Sequence, residues 1–355
     1  MTFNSIEFLV FFLFFYIMYW QVFGRNLKVQ NVILLLGSYI FYAWLNWKFL
    51  LLLIISSAVS YVLGLSISKT TNEKKKNLLL YLAVFQSLGI LFFFKYFNFF
   101  ITSIVDLLNV FHLNPNIQTL KIILPFGISF YTLKLISYVL DVYNEKIEPT
   151  NDWFVFFNYV SFFPCLLAGP IDRADNFIPQ LEKSRQFSYA QSVDGFRQIL
   201  WGLFKKIVIA DSCASITGQL FDNYQNYPGS SLLLGAFLYI VQIYADFSGY
   251  SDMAIGISKL LGFSIPNNFN YPFFAQNIAE FWQRWHISLT SWMTEYVYSP
   301  LSFIFRRYAK NGIILSIIIN FILVGLWHGS NWTFVIFGLL HGLYFIPLIL
   351  NGSFE

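Results

Sequence analysis

The sequence predicts an all-α protein, a polytopic helical bundle held in a membrane. Apolar residues fill 57% of the 355 positions and charged residues only 11%, where soluble domains carry about a quarter charged. Phenylalanine alone occurs 43 times, and in water that much apolar surface would leave large exposed patches. Many of the apolar residues also gather in runs near the length of about 20 residues that crosses a hydrocarbon core. The length therefore describes one multi-spanning domain over 1–355, with roughly 9–11 membrane-embedded segments, in place of two soluble ones.

The first apolar run, 6–23, lacks a basic leader and a small-residue cleavage site, so it reads as a retained span. A short loop, 24–31, carries Arg25 and Lys28. The second run, 32–44, is short; it tilts or extends through the interfacial aromatics Trp44 and Trp47. A third span covers 49–67, followed by a polar loop with Lys69, Lys74, Lys75 and Lys76, and a fourth covers 78–94. The N-terminal tail has no basic residue and the turn after the second span only Lys48. The positive-inside rule thus puts the two basic loops in the cytoplasm and the N-terminus outside.

After residue 95 the pattern loses regularity. A polar loop, 109–119, holds His112 and Pro115, and proline or glycine cuts the later apolar segments at 124–127, 167–170, 265–266 and 271–272. The backbone groups freed there find no partner in lipid, so these segments must be buried in protein or line a wet cavity. Re-entrant or half-spanning helices are expected between about residues 121 and 300. The stretch 196–210, with Arg197, Lys205 and Lys206, reads either as a helix lying in a basic interface or as a span end with snorkelling lysines. Two apolar helices, 313–327 and 332–350, close the chain around His328, Gly329, Ser330 and Asn331.

The net charge of +4 resides largely in loops, which suits membrane topology and not nucleic-acid binding. Cys165 and Cys213 give neither a disulfide framework nor a zinc spacing, and no phosphate-cradling loop or Gly-x-Ser-x-Gly elbow is present. No metal is expected. Of the four histidines, His112 sits in a polar loop, whereas His286, His328 and His341 stand in or beside apolar, tryptophan-rich segments. Ionisable groups at membrane depth are costly and raise a functional hypothesis; the alternative is a hydrogen bond to a neighbouring helix. His328 is the strongest candidate, because it ends an apolar helix at a backbone break where a neutral imidazole can act as general base. His341 follows 13 residues later, off the same face of a continuous helix, so the two meet only if the chain bends at Gly329. Glu280 and Arg284, four apart with the acid first, read as a structural helical pair. Asp246 and Asp252, in the polar stretch 244–252, line a hydrophilic path or cap helices. The residues alone lead to a polar, histidine-containing cavity inside a bundle.

Several blocks carry a resemblance. Asn268 to Phe273, then Glu280-Phe281-Trp282-Gln283-Arg284-Trp285-His286, then Gly325-Leu326-Trp327-His328-Gly329 and Gly338-Leu339-Leu340-His341-Gly342 resemble the signature of the membrane-bound O-acyltransferase superfamily. Leu124 to Thr132, Ala168 to Arg173 and Tyr244 to Asp252 match upstream, in the same order. The chain is most similar to the bacterial branch that O-acetylates alginate and peptidoglycan; the run Ala168 to Leu181 favours it over the teichoic-acid D-alanylation proteins.

The resemblance implies broken helices around a central polar tunnel, with His328 as the catalytic residue and His286 as a second important site. Arg284, Asp246, Asn331 and His341 are the further residues expected along the substrate tunnel. It implies no bound cofactor, acetyl-coenzyme A as the acyl donor, and a cell-envelope glycan or an exported acetyltransferase as the acceptor. The expected location is the bacterial cytoplasmic (inner) membrane, in contact with the lipid bilayer. Members of this branch continue well beyond the position of His341, which implies a C-terminally shortened form, and Cys165 stands where a glutamine is usual. D-alanyl transfer to teichoic acid, an inactive fragment and a transporter remain as alternatives; the last lacks the paired broken segments expected of two transporter halves.

Overall fold

The computed structural model describes residues 1–22, 26–113, 115 and 119–353, and among these it is helical with no strand. Arg25 and part of the loop at 109–119 lie outside the described residues. Among the described residues five helices are long and apolar enough to cross a membrane: Leu27–Ser68, Glu73–Val110, Gly229–Leu260, Arg306–His328 and Trp332–Leu350; Ile6–Val22 is a shorter apolar helix. The chain divides into two compact units, 1–57 with 150–268 and 58–149 with 269–355, each assembled from discontinuous stretches.

In the first unit, Ser5 caps the opening helix, its Oγ accepting from the Phe8 amide at 3.2 Å. Phe8, Phe12 and Phe15 form its buried face. The Phe8 ring meets Phe41 and the Phe15 ring Phe163, and a Cβ on Gly37 would stand 2.4 Å from the Phe15 ring. The helix Leu27–Ser68 would run about 63 Å if straight, twice a hydrocarbon core. Asn46 breaks it with extended backbone (φ −167°, ψ 113°), and its side chain accepts from the Lys48 amide at 3.0 Å, restarting the helix. Two helices in place of one is what the sequence predicts, with the break at the expected turn and Trp44 and Trp47 both exposed.

The start of this helix corrects the reading of 24–31 as a loop, since the described helix begins at Leu27. Polar residues suggest a loop, but Gln30 and Asn31 are buried in the helix and Asn31 is partnered. Asn31 donates to the Leu181 carbonyl at 3.0 Å and accepts from the Arg185 guanidinium at 2.5 Å. Arg185, itself buried, also donates to the Tyr19 hydroxyl at 2.7 Å.

The stretch 189–222 is helical throughout, with a π-helical segment at Phe204–Ala210, and it packs antiparallel on Gly229–Leu260. Glycine permits the contact: a Cβ on Gly256 would lie 2.5 Å from the Gly195 carbonyl oxygen, and one on Gly202 2.6 Å from that of Gly249. Lys205 is ion-paired with Asp252, and Lys206 with Asp246 at 2.6 Å and Asp211 at 2.9 Å. These lysines therefore meet carboxylates, including two on the packed helix, where the sequence left an interfacial helix and a snorkelling span end open. Asp246 and Asp252 sit mid-helix and do not cap it.

In the second unit, Asn72 caps Glu73–Leu91, which passes through a π-helical turn at Phe92–Tyr96 into Phe97–Val110. Helix Ile128–Tyr143, almost wholly buried, lies antiparallel to Glu73–Leu91, tied by Lys76 to Glu145 at 2.9 Å and by the Tyr143 hydroxyl to Asn77 at 2.5 Å. Short helices, Ile278–Arg284 and Ile287–Met293, precede the closing pair. With Trp153–Ser161 and Ala174–Glu182 in the first unit, they realise the broken helices that the prolines and glycines predict.

Candidate active site

The site begins with the hairpin formed by Ala309–His328 and Trp332–Leu343. Apolar side chains alone do not drive two helices together in lipid, where close backbone approach through small residues does. A Cβ on Gly325 would fall 2.1 Å from the Phe334 carbonyl oxygen, and one on Gly338 2.2 Å from that of Phe321. Gly329 takes extended backbone (φ −163°, ψ 157°), which ends the first helix directly after His328. Asn331 starts the second, its side chain accepting from the Thr333 amide at 3.0 Å. The chain thus bends where the sequence required it to bend for His328 and His341 to approach.

The three histidines are joined by intervening aromatic rings. His286 lies 5.8 Å from Trp327, Trp327 5.1 Å from His328, His328 6.1 Å from Phe337, and Phe337 4.4 Å from His341, centroid to centroid. Trp282 continues the series, 5.2 Å beyond His341. His286 is fully buried and adopts left-handed backbone (φ 45°, ψ 52°) between Ile278–Arg284 and Ile287–Met293. That conformation costs a non-glycine residue about 1–2 kcal/mol, and it turns the chain between the two short helices.

His328 alone of the three lines a cavity of about 590 Å³. One wall is the hairpin loop, with His328, Gly329, Ser330 and Asn331. The other presents Lys95, Asn98, Thr102 and Asp106, at the three- and four-residue spacing of one helix face. The volume suits a small ligand, and its polar walls admit a hydroxyl to the imidazole, which can take its proton.

The other expected residues divide. Asn331 lines the cavity and caps a helix. His341 is half-buried behind Phe337, and its Nδ1 has no hydrogen-bond partner among the described residues. Arg284 is ion-paired with Glu280 four residues earlier, and its carbonyl accepts from the Asn270 amide at 2.9 Å, as a structural pair would. Asp246 belongs to the first unit and pairs with Lys206 there.

Sequence reasoning missed Lys95. It ends the apolar run 78–94 and so reads as a boundary residue, yet its ammonium donates to the Ser129 hydroxyl at 3.1 Å and to the carbonyl of Trp327. The signals that find it are a lone cation inside an aromatic run and the polar recurrence at 98, 102 and 106 that continues its face.

The chain matches the membrane-bound O-acyltransferase family over residues 150–350. It is similar to the probable alginate O-acetylase of Pseudomonas aeruginosa, 37% identical over 97% of this chain and 65% of that protein. It is also similar to the peptidoglycan O-acetyltransferase of Helicobacter pylori, 36% identical over 91% of this chain and 65% of that one. The teichoic acid D-alanyltransferase of Bacillus subtilis is 30% identical, over 65% of this chain and 60% of its own length. The chain spans about two-thirds of the length of the curated relatives it matches. On the match over more than half its residues, the chain belongs to the membrane-bound O-acyltransferase family.

Proposed function

We propose that this protein is a membrane-embedded O-acyltransferase that moves acetyl groups from a cytoplasmic thioester donor, acetyl-coenzyme A, to a cell-envelope glycan or to an exported partner acetyltransferase. The observation that carries the reading is His328, open to a polar cavity at the bend of a glycine-packed hairpin. Its imidazole takes the proton of the acceptor hydroxyl; the oxygen attacks the acyl carbonyl; the departing thiolate takes the proton back. His286 and His341 flank His328 through the rings of Trp327 and Phe337. The O-acetylating relatives support acetyl over D-alanyl, being 36–37% identical over at least 91% of the chain. The D-alanyltransferase match is 30% over 65%.

Membrane vesicles carrying the protein decide between the donors. Label from acetyl-coenzyme A is expected to enter envelope polymers while carrier-bound D-alanine contributes none; the reverse would assign D-alanyl transfer.

The protein is placed in the bacterial inner membrane with its N-terminus outside and the loop at Lys74, Lys75 and Lys76 in the cytoplasm, as the distribution of basic residues favours. Lys75→Cys in a Cys213→Ser background is expected to escape an impermeant thiol reagent in intact cells and to react once the membrane is opened. Labelling of intact cells would invert the orientation.

A further inference from the structure

We propose that Lys95 is a second catalytic residue, whose ammonium holds the acyl carbonyl oxygen while His328 activates the attacking hydroxyl. This rests on the acyl-transfer reading above and adds to the histidines an ammonium at the cavity wall.

Placement is the first argument. Lys95 lies in the π-helical turn Phe92–Tyr96 and lines the same cavity as His328. Its Nζ donates to Ser129 Oγ at 3.1 Å and to the carbonyl of Trp327, the residue directly before His328. Base and cation are thereby held by adjacent residues of one chain segment. An ammonium has three N–H donors, and these two bonds leave the third for the cavity.

Charge is the second argument. Lys95 forms no ion pair among the described residues, and the rings of Tyr96 and Trp327 each stand 5.7 Å from Nζ. Asp106, on the same wall, lies eleven residues on, about 16 Å along a helix. A cation kept in an apolar segment without a carboxylate is placed to meet a negative charge that appears only during the reaction. Capping the end of Ala309–His328 does not by itself require that charge. The neighbouring Tyr96 hydroxyl serves the Leu326 carbonyl at 2.7 Å with a neutral group.

The step balances. The acceptor O–H proton passes to the His328 imidazole, and the O–C bond forms. The carbonyl π pair moves onto oxygen, where the Lys95 ammonium donates to it. The C=O bond re-forms as the C–S bond breaks, and the thiolate leaves with the proton from His328.

The test uses vesicles of the full chain with labelled acetyl-coenzyme A and the envelope acceptor already present. Lys95→Met keeps the stem and removes the charge. It is expected to lower the maximal rate about 100-fold, the usual loss for one oxyanion donor, with KM for acetyl-coenzyme A near wild type and a fall in unfolding temperature comparable to that of Tyr96→Phe. Lys95→Arg should recover part of the rate, and Tyr96→Phe should lower the unfolding temperature while leaving the rate intact. A Lys95→Met rate close to wild type would overturn the proposal. So would equal rate losses in Lys95→Met and Tyr96→Phe that track stability, since both would then act only as helix-end caps. Should Lys95→Met fail to accumulate, Ser129→Ala decides: releasing Nζ should cost roughly tenfold in rate, and an unchanged rate overturns the assignment. His328→Ala in the same vesicles separates the two claims. Its inactivity beside an active Lys95→Met sinks the lysine alone; full activity of His328→Ala removes His328 as the base and overturns the pairing proposed here, whereas no transfer by wild type removes the acyl-transfer reading and this proposal with it.

Discussion

His328→Ala is expected to lower acyl transfer by roughly 10²–10⁴-fold, the contribution of a positioned general base, with the protein still folded and present in the membrane. The side chain lines the cavity, ends its helix, and is followed by a loop whose order depends on Gly329 and the Asn331 cap rather than on the imidazole. Removing it leaves the glycine contacts of the hairpin in place. Initial rates in vesicles with labelled acetyl-coenzyme A, normalised to the amount of protein, check this. A rate within a few-fold of wild type would remove His328 from the chemistry and return it to a packing role.

Gly325→Ala is expected to act through the fold with an effect as large. The new Cβ would stand 2.1 Å from the Phe334 carbonyl oxygen and 3.1 Å from the Gly338 amide nitrogen, and both are backbone atoms of the facing helix. No rotamer change relieves that contact, so the helices must separate. Overpacking costs typically 1–3 kcal/mol and occasionally more, and a backbone clash this close belongs at about 3 kcal/mol or above. His328 and His341, on the two helices of the hairpin, would part with them and activity would fall as well. The control is Gly89→Ala, on Glu73–Leu91, where a Cβ would meet nothing within 4 Å; it is expected to be neutral or slightly stabilising. Unfolding temperatures in detergent compare the two, and a Gly325→Ala protein as stable as Gly89→Ala would contradict the close-packed hairpin.

Much of this arrangement is legible in the sequence because membranes punish irregular backbone. Breaks at Gly329 and between Trp44 and Trp47 stand out against apolar runs, and both are where the chain turns. The gathering of His286, His328 and His341 follows once the bend is granted. Other features leave weaker traces. In lipid both the packed and the exposed faces of a helix are apolar, so periodicity does not say which face meets a neighbour. Glycine pairs such as Gly195 with Gly256 carry that information, and only across long sequence distances. Polar residues mislead in the same setting: Lys28, Gln30 and Asn31 suggest a loop, yet they lie in a helix where Gln30 and Asn31 are buried. Lys95 is hidden by the opposite effect, since a single charge after an apolar run reads as the end of a span. The interleaving of the two units, with the chain passing between them at residues 57, 149 and 268, has no local signature.

The measurement that bears most directly on the account is base-labile acetate released from purified envelope polymers. Cells lacking the protein are compared with the same cells carrying wild type or His328→Ala. Acetate restored by wild type and not by His328→Ala is the predicted result. Unchanged acetate in every strain, or equal restoration by both forms, would contradict acetyl transfer through His328.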